Sequence, residues 1–126
     1  MAFDVHMVSF REFIRAVVPG AIDVRLSRAL LREIFESSQR AGVSRILVDT
    51  RGSDQQAIGR GDVLDLLAYM ASLGFANAHR VAVVAEPGDG LEKATLAEQS
   101  AYSQGLTIGA FSDFEAALTW LEGRSS

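Results

Sequence analysis

The sequence predicts an α/β domain built on a mainly parallel sheet, and three observations carry that expectation. Two short apolar runs lie within the first eighteen residues, with only Arg11 and Glu12 between them. Three later runs, at Arg45 to Asp49, Val81 to Ala85 and Leu106 to Phe111, are short and apolar on both faces, as strands buried inside a parallel sheet are. Between and after them apolar residues recur at helical spacing. Strands therefore alternate with helices, and each connection is a crossover. The expected order is β-β-α-β-α-β-α-β-α, opening with an antiparallel hairpin.

Asp4 to Phe10 reads as the first strand and Phe13 to Val18 as the second. Their two-residue spacing favours a hairpin, although a turn without Gly or Asn leaves the register open. Pro19-Gly20 ends the second strand. From Asp23 the period changes: Leu26, Leu30, Leu31, Ile34 and Phe35 form a helical stripe. Arg25, Arg28 and Arg32 read as its solvated face. Asp23 is the expected N-cap, and Gly42 follows the helix end. Arg45 to Asp49 is the third strand. Thr50 to Gly61 is polar and glycine-containing, and is expected to be irregular. Val63, Leu66, Leu67, Met70 and Leu73 mark the second helix, with Gly61 or Asp62 at its cap and Gly74 just past its end. Val81 to Ala85 is a strand and Glu86 to Gly90 a tight loop. Leu91 to Gln104 is expected as an Ala-rich third helix anchored by Leu91, Thr95 and Tyr102. After the last strand, Ser112-Asp113-Phe114-Glu115 reads as a capping box, with the serine and the glutamate satisfying free amides. Phe114, Ala117, Leu118 and Leu121 form the stripe of the final helix, which Gly123 closes.

A chain of 126 residues fits one domain, spanning 1–126, that buries roughly two-thirds of its unfolded surface. The absence of cysteine excludes disulfides, thiolate metal sites and a cysteine nucleophile. A formal charge of −4 argues against nucleic acid, which requires a basic face. No apolar run approaches the roughly eighteen residues of a membrane span. Asp4, Arg11, Glu12 and Arg15 occupy the window in which a signal peptide is apolar, so a cytoplasmic protein is expected. Eleven of the twelve basic residues are Arg, Lys93 being the exception; this suits the codon usage of a GC-rich bacterial genome.

The ordered set of elements resembles a known family. A hairpin ending at Pro19-Gly20 precedes a helix and the strand Arg45-Ile-Leu-Val-Asp-Thr-Arg-Gly52. The strand His79-Arg-Val-Ala-Val-Val84 and the closing Ala110-Phe-Ser-Asp-Phe-Glu-Ala-Ala-Leu-Thr-Trp-Leu121 follow. Together they resemble the STAS/SEC14-type domains related to the sporulation anti-sigma-factor antagonist, in particular their small stand-alone bacterial members. The resemblance implies a βα superhelix with an extra N-terminal strand, no enzyme activity and no cofactor. It also implies a regulatory or protein-interaction role. In the sporulation antagonists a serine in an Asp-Ser-Ser-Gly turn, at the start of the helix after the third strand, is phosphorylated by a partner kinase. The corresponding turn here is Ile58-Gly59-Arg60-Gly61-Asp62, which lacks both serines, and Ser53 stands at the far end of the loop.

Candidate sites follow from the rule that ligands collect beyond the carboxyl ends of parallel strands. Those ends carry Asp49, Thr50 and Arg51, then Glu86, then Ser112 and Asp113. Asp49, Glu86 and Asp113 together could gather a hard cation, but Asp49 and Arg51 read better as an ion pair ordering the loop, and Asp113 as a helix-start carboxylate. Gly59-x-Gly61 lacks the third glycine of a dinucleotide fingerprint. Asp49 lacks the acidic pair and lysine of a receiver domain. His6 and His79 have no nucleophile at suggestive spacing. The interaction or ligand candidates are thus Asp49, Arg51, Ser53, Gly59, Arg60, Gly61, Asp62 and Glu86, with no metal and no catalytic residue expected. The leading expectation is an interaction module whose surface is the Thr50–Gly61 loop and the helix after it. The alternative is a carrier or sensor of a small apolar or lipid-like ligand, held in a cavity beside Tyr102 and Met70; an enzyme is third. Because crossovers in sequence order place their helices on one face of a sheet, the second apolar face must be covered by another helix or another subunit. Self-association, as a dimer, is the expectation drawn from it.

Overall fold

The computed structural model describes residues 4–8 and 12–123. Among the described residues seven strands and four α-helices follow one another as β1 (Asp4–Val8), β2 (Phe13–Val17), β3 (Gly20–Ala21), α1 (Val24–Ala41), β4 (Arg45–Asp49), β5 (Ser53–Asp54), α2 (Arg60–Leu73), β6 (Arg80–Val84), α3 (Asp89–Ala101), β7 (Thr107–Phe111) and α4 (Phe114–Leu121). The main sheet has the order β1-β2-β4-β6-β7. β1 runs antiparallel to β2, pairing Val8 with Phe13, and the other neighbours are parallel. The N-terminal hairpin and parallel sheet are those the sequence predicts; residues 9–11, where the first strand and its turn were expected to extend, lie outside the described residues.

The polar stretch after β4 is not wholly irregular. β5 pairs in parallel with β3, and this two-stranded ladder fixes the loop over the ends of β2 and β4. Neither segment carries an apolar alternation, so nothing in the side chains announces the pairing.

α1 starts where expected: Asp23 Oδ1 accepts from Leu26 N at 2.8 Å, and Gly42 ends the helix with a left-handed φ of 67°. Its buried stripe is Ser27, Leu30, Ile34 and Ser38, and the Ser38 hydroxyl donates to the carbonyl of Val43. Arg28 and Arg32 are not merely solvated. The Arg28 guanidinium lies 5.1 Å from the Tyr69 ring centroid, and Arg32 donates to the Tyr69 hydroxyl at 3.1 Å, tying α1 to α2.

Strands in sequence order with right-handed crossovers put α1, α2 and α3 on one face. There Ile14, Ala16, Ile46, Val48, Val81 and Ile108 pack under Leu30, Ile34, Val63, Leu67 and Met70. The opposite face is apolar as well, and α4 covers it: Ala117, Leu118 and Leu121 pack on Phe13, Leu47, Ala82 and Val84. α4 follows the last strand and has no strand to return to, so no crossover confines it to the crowded side. The second face is thus buried within the chain, and two-sided apolarity requires no second subunit.

The boundaries of α3 and α4 differ from expectation. α4 is capped by Asp113, whose Oδ2 accepts from Ala116 N at 2.9 Å, rather than by the expected Ser112 and Glu115 pair. α3 begins at Asp89, two residues before Leu91, and tightens into a 3-10 turn at Tyr102–Gln104. Tyr102, expected as an anchor, is 88% exposed; Ala101 and Leu106 take the buried positions on either side of it. No helix among the described residues is long and apolar enough to cross a membrane.

Candidate functional site

The carboxyl ends of β4 and β6 open into a basin of about 740 Å³. One wall is the β4–α2 loop, from Thr50 through Ser53, Asp54, Gln55, Gln56 and Ile58. The starts of α2 (Gly59, Arg60) and α3 (Asp89, Gly90, Lys93), with Glu86 and Pro87, complete it. Two helix N-termini therefore face one concavity. The first turn of α2 is set by Asp62, whose Oδ2 accepts from Gly59 N at 2.8 Å. Gly59 is the N-cap, not the expected Gly61 or Asp62, because the carboxylate three residues on satisfies its amide.

Beneath the basin lies a second space of about 160 Å³, almost wholly apolar. Its floor is Val48, Val81, Val83 and Ile108 of the sheet; its walls are Leu30 and Leu31 of α1, Val63, Leu66, Leu67 and Met70 of α2, and Ala94 and Ala97 of α3. The two alanines leave the room that larger side chains on α3 would fill. Met70 therefore lines a cavity as the sequence suggested, whereas Tyr102 does not. Thr50, Ser53, Gln55, Ile58, Gly90 and Lys93 border both spaces and form the neck between them.

Hydrogen bonds cross-link that neck. Thr50 Oγ1 donates to Val84 O at 2.9 Å, Ser53 Oγ to Thr50 O at 2.6 Å, and Gln55 Nε2 to Ser53 Oγ at 3.1 Å. Lys93 Nζ donates to Gln55 O and to Asp89 Oδ2, the latter at 2.8 Å. Its side chain is only 12% exposed, so the one lysine of the chain is a neck group rather than a surface charge.

Asp49 and Arg51 lie on the other side of the sheet. Asp49, 5% exposed, receives Arg51 Nε at 2.9 Å and Arg51 Nη2 at 2.8 Å, and Arg15 stands 3.8 Å away. The Arg51 hydrogen bonds hold the Asp49 carboxyl below its ordinary value against the opposing effect of burial. Arg51 is held above its own value, first by Asp49 and also by the field of Asp113 and Glu86. The Arg51 guanidinium, not a metal ion, thus sits among the three carboxylates weighed for a metal, and no group of three or more metal-ligating side chains exists among the described residues. Phe114 lies against both guanidiniums, at 5.7 Å from Arg15 and 5.6 Å from Arg51.

Of the sequence candidates, Ser53, Gly59, Arg60 and Glu86 line the basin. Gly61 and Asp62 shape the first turn of α2 without lining it, and Asp49 and Arg51 form the ion pair beneath α4. His79 lies in an aromatic cluster, its Nδ1 accepting from Ala76 N at 3.2 Å; the His6 side chain lies outside the described residues. Sequence reasoning missed Lys93, Gln55 and Gly90. The spacing of Asp89 and Lys93, four apart, signals the pair once the helix is known to start at Asp89.

A solved structure shares this architecture. A DUF3478-family protein of Shewanella loihica, described as having a SpoIIAA-like fold, aligns with 95% of this chain and 92% of its own at 19% identity, with a TM-score of 0.57. The chain has the SpoIIAA-like (STAS) fold. It shares that fold over most of its length. The anti-sigma-factor antagonist SpoIIAA in its unphosphorylated form aligns with 98% of this chain and 100% of its own at 20% identity and a TM-score of 0.48. No protein-family model and no curated protein matches the chain.

Proposed function

We propose that this domain is a non-catalytic carrier or sensor of a small molecule with a short apolar body. The observation that supports it is the apolar cavity of about 160 Å³ that shares a hydrogen-bonded rim with the polar basin. Ligand sites are concave, mostly apolar and marked by a few placed polar groups. A space of about 150 Å³ suffices for a benzene ring, so the size supports a compact body of six to eight carbons rather than a long lipid chain. The expected interaction surface, the Thr50–Gly61 loop and the start of α2, is the wall of this basin, so binding would be felt where a partner would read it. The first turn of α2 offers no hydroxyl to phosphorylate, and the Ser53 hydroxyl is engaged with Thr50 O and Gln55, which favours a ligand over a phosphoserine as the signal.

Toluene tests this reading. It is expected to bind the protein with measurable heat and to shift the methyl signals of Leu67 and Met70. Ala94, buried at the cavity wall, is the position to fill. Ala94→Leu is expected to abolish binding while holding or raising stability, as cavity-filling changes do. Toluene failing to bind the wild-type chain, or binding the folded Leu variant equally well, would refute the cavity as the site.

A further inference from the structure

We infer that the ligand is uncharged and carries one hydrogen-bond acceptor, which docks on the free N–H of Lys93 at the neck. This rests on the cavity reading above and names the chemistry of the ligand's polar end. An ammonium group has three donors and no acceptor. Two of those of Lys93 are taken, by the Gln55 carbonyl and by Asp89 Oδ2 at 2.8 Å. No protein acceptor among the described residues takes the third, and Lys93 borders both the apolar cavity and the basin. A molecule whose body fills the cavity and whose head points outward brings its acceptor to that donor.

The surroundings select the charge of the head. Asp89 already neutralises Lys93, and the basin carries three carboxylates (Asp54, Glu86, Asp89) against two cations (Arg60, Lys93). A carboxylate head would enter this net-negative space and would compete with Asp89 for the ammonium. An amine head would meet Lys93 as a like charge and leave its third donor unmatched. A hydroxyl, carbonyl or ether oxygen accepts the hydrogen bond without disturbing the Asp89 pair. Hydrogen bonds to a charged group are the stronger kind, so the head adds affinity as well as orientation.

Four probes with one ring separate the possibilities: toluene, benzyl alcohol, benzoate and benzylamine, titrated calorimetrically into the wild-type protein and into Lys93→Met. Benzyl alcohol is expected to bind roughly ten-fold tighter than toluene, the size of one net hydrogen bond to a charged donor. Benzoate and benzylamine are expected to bind more weakly than the alcohol. In Lys93→Met the alcohol should lose its ten-fold advantage over toluene. Benzoate matching or exceeding the alcohol would overturn the inference, as would equal binding of alcohol and toluene to the wild type. So would a folded Met variant that keeps the alcohol's advantage. Each of these leaves the cavity reading standing if toluene binds. Failure of toluene to bind removes the cavity reading itself. The comparison among probes on the wild type needs no variant to fold.

Discussion

Gly74 shows how one residue can be dictated by two neighbours at once. It leaves α2 with φ at 116°, and a Cβ there would lie 2.8 Å from Cζ of Phe35. The first condition suits glycine because side chains are strained at positive φ. The second forbids a methyl because the ring cannot retreat freely: Phe35 packs 5.1 Å from Phe75 and 5.9 Å from His79, centroid to centroid. Gly74→Ala is therefore expected to destabilise the domain by about 1–3 kcal/mol, the usual range for overpacking and backbone strain. Urea unfolding should show a lower midpoint at unchanged slope; a midpoint equal to that of the wild type would mean the ring cluster yields at no cost. Lys93 makes a complementary point. In the sequence it stands out only as the lone lysine, and its meaning depends on Asp89, which hydrogen-bonds it from one helical turn earlier.

Among the elements, α4 carries the least intrinsic stability, since eight residues are too few for an isolated helix in water. It is held by the Asp113 cap and by burial of Ala117, Leu118 and Leu121 against the sheet. Leu121 is 1% exposed, so Leu121→Ala is expected to cost about 2–5 kcal/mol. It should also loosen cover over Leu47, Ala82 and Val84, raising the fluorescence of a dye that binds exposed apolar surface. A loss under about 1 kcal/mol would mean that α4 is dispensable to that face. The need for such a cover was legible, because the strands are apolar on both faces. Which element supplies it was not, because crossover handedness places only helices that lie between two strands. The same limit applied at the site. The strand ends pointed to the correct end of the sheet, and Ser53, Gly59, Arg60 and Glu86 were legible there. The parallel pairing of β3 with β5 and the early start of α3 were not, since both depend on backbone hydrogen bonds in polar segments. Reading α3 from Leu91 hid the pair of Asp89 with Lys93, and with it the neck.

Across the whole molecule, the Asp49 cluster joins parts that are distant in sequence. Asp49 ends the central strand β4, Arg15 belongs to β2, Arg51 opens the loop of the basin, and Phe114 begins α4. The cluster therefore couples the cover of one face to the loop that walls the site on the other. Its pH dependence has a definite sign. The Asp49 carboxyl titrates below its ordinary value in the folded chain, held there first by the Arg51 hydrogen bonds, and near that ordinary value in the unfolded one, so at acid pH the unfolded state binds the proton first. The stabilisation is then complete above the unfolded value and is lost as pH falls through the folded one. Asp49→Asn keeps the shape but not the charge. At pH 7 it is expected to lower stability by about 2 kcal/mol, the scale of hydrogen bonds to a charged group. The gap between wild type and variant should hold from pH 7 to about 5 and shrink below the ordinary carboxylate range, because protonation removes the same charge from the wild type. Chemical unfolding of both proteins at half-unit steps between pH 7 and 2.5 measures that gap. A gap independent of pH down to the lowest step would place the effect of the substitution in packing and leave Arg51 without a role in acid stability.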